Sequence, residues 1–596
     1  MCPRVLFSGS LSGKRSKKVL SNKTSTGQKT STKLFVNGVL ILTVSNILVK
    51  VIGLLFKIPL HGYLGDEGMG YFNAAYTIYT AFFMIATAGL PVAISYMVSR
   101  SRAAGNFNQV KKIFRLAFWL FFIIGSVGML ALFFGADFFA NTVAELPQSK
   151  YCIMAIAPTL FFVCLTSAFR GYFQGHQVMW PTAVSQLLES LGKLLIGILL
   201  AIWSTSQGHE TYITAAWTIF GLTVGVFCGM VFIFITKLLY NTQTVNAEYA
   251  LPDSYTMQTE STKSLLKELV VMAVPVTLSS SVMSLANLID LTVISRRLQS
   301  IGFTAAGASA IYGNYTTLAV PMFNLIPVLV YPIGYSLVPM ISALLVQKEE
   351  QRAHRVMTSS LKTAAILSMP CTVGMAVLAE PILTMIYGSA NLHSKYVAMD
   401  SELLGDSVYM QYIGQSGTSA SLAAPLLSIL AISSFLVSML AITNSVLQAH
   451  KRPYLPLISM LVGAAAKILA SYVLIGNPSI GIYGAPISTG ICYVIVVLFN
   501  FYFCARYANF RPSVRKVFLK PLIASALCGL TAVGAYALLD RLITSHFLTT
   551  ALAIAAAAVV YLVVLLLTGA LDKEDFDFIP KGQTIYRLLG KMHLVK

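Results

Sequence analysis

Four lysines of this 596-residue chain, Lys50, Lys57, Lys193 and Lys467, stand inside stretches apolar enough to cross a bilayer. A lysine at mid-bilayer costs about 2.5–3.5 kcal/mol, so each must face water, a partner or an anionic ligand. The first two belong to a stripe, Asn46, Lys50, Gly53 and Lys57, whose spacing places all four on one helix face. Lys50 lies deeper than Lys57 by about two turns, or roughly 10 Å at 1.5 Å per residue. Lys57 has the alternative of reaching outward to the interface. The chemistry such a stripe can do is reversible electrostatic capture of an anion.

Three further groups belong with them. Gln186, Glu189 and Lys193 share a helix face, with Glu189 and Lys193 in the favourable i, i+4 order, so they form a self-neutralised pair or present a cation to a ligand. Lys467 occupies the repeat-related place, where Gly463 stands instead of the acid, which argues that the cation itself is wanted. Asn287, Asp290, Arg296 and Arg297 lie along another segment; Asp290 and Arg297 pair internally, or Arg297 offers its planar fork to phosphate oxygens. Gly65-Asp66-Glu67-Gly68 reads as a tight turn with solvated acids, or as an outer-gate contact. Pro91, Pro327 and Pro332 interrupt backbone bonding where a gating helix would bend. His176 and His450 fall at turns, where a proton relay is one reading.

The elements that must position these residues are about fourteen apolar segments, near 35–60, 70–99, 112–137, 151–173, 180–203, 212–238, 265–295, 310–343, 360–386, 419–449, 455–476, 482–506, 518–539 and 547–570. The hydrophobic fraction is 56% and the charged fraction 11%, which excludes a water-soluble fold of this length. An even number of crossings puts both termini on one side. That side collects 33 Lys and Arg, against Lys150, Arg296, Arg297, Lys395 and Arg541 opposite, so both ends are expected in the cytoplasm. The net charge of +20 is spread over short loops beside membrane spans, so no nucleic-acid partner is expected; membrane lipids are. Residues 1–33, basic and free of acids, read as a disordered cytoplasmic tail, and 572–596 as a cytoplasmic C-tail.

Eight cysteines without a C-x-x-C pair read as small buried residues, and no metal-ligand cluster, nucleotide loop or catalytic motif appears. His393, Asp400, Glu402 and Asp406 fall in a polar outward loop, 387–418. No enzyme activity and no cofactor are therefore expected. A coupling cation, sodium or proton, stays open, and the chain is expected to act as a monomer.

The chain also repeats itself. Pro91-Val-Ala-Ile-Ser95 corresponds to Pro332-Ile-Gly-Tyr-Ser336 at an offset of 241, and Gln174-Gly-His176 with Lys193 corresponds to Gln448-Ala-His450 with Lys467 at an offset of 274. The difference matches the outward loop. Six spans per copy keep the copies parallel, related by an axis along the membrane normal, with a cavity expected between them. The expected units are a first lobe at 34–240, a linker at 241–263, a second lobe at 264–507 and two additional spans at 508–571.

The run Lys50-Val-Ile-Gly53-Leu-Leu-Phe-Lys57-Ile-Pro59, followed by Gly65-Asp66-Glu67-Gly68-Met-Gly70-Tyr71, Ala75-Tyr76-Thr-Ile-Tyr79 and Thr87-Ala-Gly89-Leu-Pro91-Val-Ala-Ile-Ser95, resembles the stage V sporulation protein B branch of polysaccharide-lipid flippases. That branch stands with MurJ-type lipid II flippases in the larger group holding the multidrug and toxin extrusion transporters. Ile289-Asp290 with Arg296-Arg297-Leu298-Gln299 fits it too, and the likeness runs over about 34–570.

The resemblance implies an all-α polytopic membrane protein: fourteen helices, two six-helix lobes in pseudo-two-fold symmetry around a cationic cavity, and two C-terminal helices forming a lipid-tail groove. It implies alternating-access transfer of an undecaprenyl-pyrophosphate-linked sugar, most simply lipid II, in a bacterial plasma membrane. Lys50, Lys57, Glu189, Lys193, Asp290, Arg296, Arg297 and Lys467 are then the candidate substrate residues, with Asp66, Glu67, Pro91 and Pro332 as gating residues. Lysine where the family often carries arginine keeps the charge but loses bidentate phosphate binding. The rival readings are a flippase for another polyprenyl-linked glycan (capsule, teichoic acid or spore cortex), a cation-coupled multidrug exporter, which calls for acids where Lys50 and Lys57 stand, and a membrane glycan polymerase, which calls for paired acids.

Overall fold

The computed structural model describes residues 13–176, 178–240, 259–387, 419–450, 452–513 and 515–568. Within these, some side chains lie outside the description, those of Asn46, Lys50 and Pro332 among them. Residues 388–418, where an outward loop was expected, most of the expected linker and the expected C-tail also lie outside the described residues.

Every regular element among the described residues is helical. Among the described residues, twelve stretches are long and apolar enough to cross a membrane. One of them, Leu55–Arg102, contains a turn of direction at Gly65, and its first limb extends back into the long helix α1 (Gly13–Thr87). With that limb and α7 (Thr262–Ser300) counted as spans of their own, the bundle has the fourteen spans expected.

The hinge in α1 is a backbone effect: Gly65 has φ 62°, the left-handed region where glycine alone is unstrained. Asp66 and Glu67 are already helical, so the turn is a single residue. The helix also runs back to Gly13, so residues 13–33 continue the first span where an irregular tail was expected. Extending an existing helix costs far less than nucleating one, and those residues contain no proline.

The first lobe continues with α2 (Leu90–Ala103), α3 (Phe107–Phe134), α4 (Ser149–Gly175), α5 (Trp180–Ser206) and α6 (Thr211–Tyr240). The second lobe is built from α7, α8 (Ala305–Asn314), α9 (Val320–Val346), α10 (Glu350–Val377), α11 (Ala379–Tyr387), α12 (Ser419–Ala449), α13 (Tyr454–Ile475) and α14 (Gly484–Tyr507). Helices α15 (Lys520–Leu539) and α16 (His546–Leu567) pack together against α10 and α11, where Ile366, Leu378, Cys528 and Tyr561 form a separate small core.

Polar caps mark the helix starts. The Asn106 side chain accepts from Gln109 N at 3.0 Å to begin α3, Ser261 from Ser264 N at 3.1 Å to begin α7, and Thr304 from Gly307 N at 3.1 Å to begin α8. Pro91 lies in the first turn of α2, just past a break at Ala88–Gly89, so it starts a helix and does not bend one. A π-helical turn, Tyr315–Ala319, joins α8 to α9. It inserts a residue into the helical ladder, the kind of irregularity often found at functional positions.

The lobes meet chiefly where α1 and α2 face α7 and α8. At the Gly65 end the approach is backbone on backbone: a Cβ added to Gly313 would lie 2.0 Å from Asp66 O, and one added to Gly70 would lie 2.0 Å from Ser309 O.

Candidate functional site

Between the lobes lies a chamber of about 270 Å³. From α1 it receives Lys57, Asn73, Tyr76 and Thr77; from α7, Asn287 and Asp290; from α13, Lys467. The wall formed by α8, the π turn after it, α9 and α14 supplies Tyr312, Tyr315, Asn324, Thr489 and Tyr493. Three of the sequence-derived site residues therefore reach the same chamber: Lys57, Asp290 and Lys467. The side chain of Lys50 lies outside the described residues. A methyl added at Gly53, on the same stripe, would meet no atom within 4 Å.

Lys57 Nζ donates to Thr316 O at 3.0 Å, crossing from the first lobe to the second. That carbonyl belongs to the π turn, where the ordinary ladder is interrupted. Lys57 is thereby a cation in the chamber wall, and the outward reach to the interface is not taken. Lys467 pairs with Asp290 across α13 and α7. Of the two readings of Arg297, neither the pair with Asp290 nor the fork offered to the chamber is found: Arg297 donates to Tyr472 O at 3.1 Å and lies 4.3 Å over the Tyr472 ring, outside the chamber. Arg296 binds Glu145 of the first lobe at 2.6 Å, also outside the chamber. Spacing on α7 correctly aligned Asp290 with Arg297, but the neighbouring helix offered each a better partner.

Of the two readings of Glu189 and Lys193, the self-neutralised pair is not found. Glu189 receives Arg170 of α4 at 2.6 Å, and that guanidinium also donates to Ser185 Oγ at 3.0–3.1 Å. Lys193 instead sits over aromatic faces, 4.8 Å from the Phe56 centroid and 4.9 Å from that of Tyr76, within cation–π range. Tyr76 separates it from the chamber, which it lines. The first lobe thus holds a neutralised acid and a lysine without a described carboxylate partner.

Asp66 and Glu67 are not solvated turn acids. Asp66 is 4% exposed and receives Ser419 Oγ at 2.6 Å, His61 Nε2 at 2.7 Å and Asn314 Nδ2 at 3.4 Å. Glu67 O accepts from Ser309 Oγ at 3.0 Å. These bonds tie the Gly65 hinge to the second lobe, joined by Gln299 Nε2 on Glu145 O at 2.8 Å. The other end is clasped by exposed charges: Arg100 to Glu268 at 2.5 Å and to Glu260 at 3.2 Å, with Lys112 donating to Glu260 O at 2.6 Å. His176 and His450 each hydrogen-bond the carbonyl four residues back, Tyr172 O at 2.9 Å and Val446 O at 2.8 Å, and so finish their helices.

The sequence reading missed the polar and aromatic lining: Asn73, Thr77, Tyr312, Tyr315, Thr316, Asn324, Thr489 and Tyr493. An isolated Asn in an apolar span, as at 73 and 324, is the signal that was there to use; tyrosine and threonine are too common in such spans to stand out. Among the described residues, no group of three His, Cys, Asp or Glu gathers as a metal site would require.

Two parallel helical lobes around a charged, polar chamber, with two appended helices, define a multi-pass membrane protein of the transporter kind. The family described as polysaccharide biosynthesis protein matches residues 35–345, and the chain belongs to it. It is 25% identical over 513 residues to the lipid II flippase MurJ of Bacillus subtilis (strain 168), covering 84% of this chain and 88% of that protein. It is 23% identical over 549 residues to stage V sporulation protein B of the same organism, covering 92% and 98%. Among solved structures the fold matches a lipid II flippase MurJ in an inward closed conformation, with a TM-score of 0.61 at 14% identity over 88% of this chain and 98% of that one. It also matches an inward-facing multidrug resistance MATE family transporter, with a TM-score of 0.57 at 13% identity over 77% and 94%.

Proposed function

We propose that this protein is a flippase that carries a polyprenyl-pyrophosphate-linked glycan, specifically lipid II, from the inner to the outer leaflet of a bacterial plasma membrane. The observation that carries this reading is the chamber itself, walled by both lobes and left with a net positive lining by Lys57 beside the Lys467–Asp290 pair. An anionic diphosphate gains there what a drug cation would lose. The likeness to MurJ and to stage V sporulation protein B supports the substrate class.

In this mechanism the head group enters from the Arg100 end, which the excess of basic loop residues assigns to the cytoplasm along with both termini. The diphosphate binds at Lys57, with Lys193 adding field through Tyr76, while the polyprenyl tail stays in lipid beside α15 and α16. Parting of the Gly65 end releases it outside. No covalent bond changes. An inside-negative potential assists outward movement of a net negative head group by about 2.3 kcal/mol per charge per 100 mV.

Reconstitution with fluorescent lipid II tests the reading. Flipping is expected in the intact chain and strongly reduced in Lys57→Ala; equal flipping by vesicles with and without the protein sinks it. Rescue of a strain depleted of its lipid II flippase separates lipid II from capsule, teichoic-acid or cortex precursors.

A further inference from the structure

The chamber has two unlike walls. On the first-lobe side, Lys57 presents a cation that no described carboxylate neutralises. On the second-lobe side the lining is polar and aromatic without net charge: Asn287, Tyr315, Phe323, Asn324, Thr489 and Tyr493, with the ammonium of Lys467 taken up by Asp290. The Phe323 and Tyr493 rings are stacked, 6.1 Å between centroids at 29°. Neither the Asn287 amide nor the Tyr493 hydroxyl has a hydrogen-bond partner among the described residues, so both are free to serve a ligand. An amide supplies two donors and an acceptor, and a phenol one of each, which matches the alternating hydroxyls of a pyranose. Aromatic faces carry the apolar C–H face of the same ring.

Resting on the flippase reading above, we infer that the second-lobe wall is a sugar subsite selective for an uncharged first sugar, with the diphosphate held opposite it at Lys57. Asp290 is the selectivity element. It neutralises Lys467, so no second cation invites an anionic group, and its own carboxylate faces any acid carried on that sugar. A lipid whose first sugar is a neutral N-acetylhexosamine therefore fits, and one whose first sugar is a uronic acid is refused.

The experiment measures binding of three lipids to the full chain in nanodiscs: polyprenyl pyrophosphate without sugar, the same lipid bearing N-acetylglucosamine, and the same lipid bearing glucuronate. The neutral sugar is expected to tighten binding about tenfold over the bare lipid, the worth of one or two hydrogen bonds. Asn287→Ala and Tyr493→Phe bring that ratio towards one. Glucuronate binds more weakly than the neutral sugar, and Asp290→Asn removes the difference. A ratio near one in the unaltered chain, an unchanged ratio in both variants, or preference for the uronate overturns the subsite. An unaltered chain that binds none of the three lipids overturns the flippase reading itself, so the two failures are distinct.

Discussion

Replacing Gly313 by alanine should prevent the Gly65 end from closing. The added Cβ would lie 2.0 Å from Asp66 O and 2.5 Å from Gly70 N, both backbone atoms that no rotamer change can move. Ordinary contact needs more than a further ångström, so α8 must withdraw from the hinge as a unit. Withdrawal breaks Ser309 Oγ on Glu67 O and Asn314 Nδ2 on the Asp66 carboxylate, both carried by α8. At about 1 kcal/mol for the neutral bond and about 2 for the one to a charged group, closure weakens by about 3 kcal/mol, or roughly a hundredfold in the closed-to-open ratio. The assay is labelling of Thr77→Cys, on the chamber wall, by a membrane-impermeant maleimide applied from the Gly65 side in a background freed of native cysteines. The labelling rate should rise by up to about a hundredfold, and transport should fall because one end no longer seals. Gly53→Ala is the control, since its methyl meets nothing within 4 Å. Unchanged labelling in Gly313→Ala, with transport intact, would refute the claim that this backbone contact is the seal.

Three further outcomes follow from the ion pairs. Glu189→Gln leaves Arg170 half-buried without its carboxylate and should lower stability by about 3–5 kcal/mol in a denaturation series, whereas Lys193→Ala should cost little stability and act on transport; equal destabilisation by the two would restore the Glu189–Lys193 pair. Asp290→Asn and Lys467→Met should each destabilise, while the double variant recovers most of the loss, and simple additivity would disprove the pairing. Arg100→Ala breaks an exposed clasp worth about 0.2–1 kcal/mol, so opening of that end should rise only a few-fold, and high salt should reproduce it in the unaltered chain.

The bundle was legible because its signals are long and repeated. Apolar stretches of about twenty residues leave few alternatives, and the lysines within them had to find a polar neighbour. Lys57 and Lys467 line the chamber, whereas Lys193 lies over aromatic rings. Partners were not legible, because spacing orders only the residues of one helix. It aligned Glu189 with Lys193 and Asp290 with Arg297, yet Arg170 on α4 and Lys467 on α13 won those acids from across helix interfaces. Nor does any residue pattern announce the π turn at Tyr315–Ala319, which turns Thr316 O toward Lys57. The buried state of Asp66 was hidden for a related reason: a Gly-Asp-Glu-Gly run has the composition of a solvated turn, and only the arrival of Ser419 and Asn314 from distant segments makes a dry site tolerable for its charge.

The two ends of the chamber are closed by different physics, and that difference gives the cycle a direction. The Gly65 end is sealed by backbone contact and by buried bonds to Asp66, which opening must expose together. The Arg100 end is held by exposed ion pairs, which water and salt replace at small cost, with the close approach of Gly89 to Ala273 as the next contact inward. At about 270 Å³ the chamber falls below the usual range for ligand pockets, about 300–1,000 Å³, and a disaccharide head group does not fit it as it stands. An empty protein should therefore open first at the Arg100 end, and on the proposed flippase reading the binding energy of the head group is what trades against the seal at Gly65. On that proposed reading, loading at the Arg100 face precedes release at the Gly65 face, the order that outward transport would require.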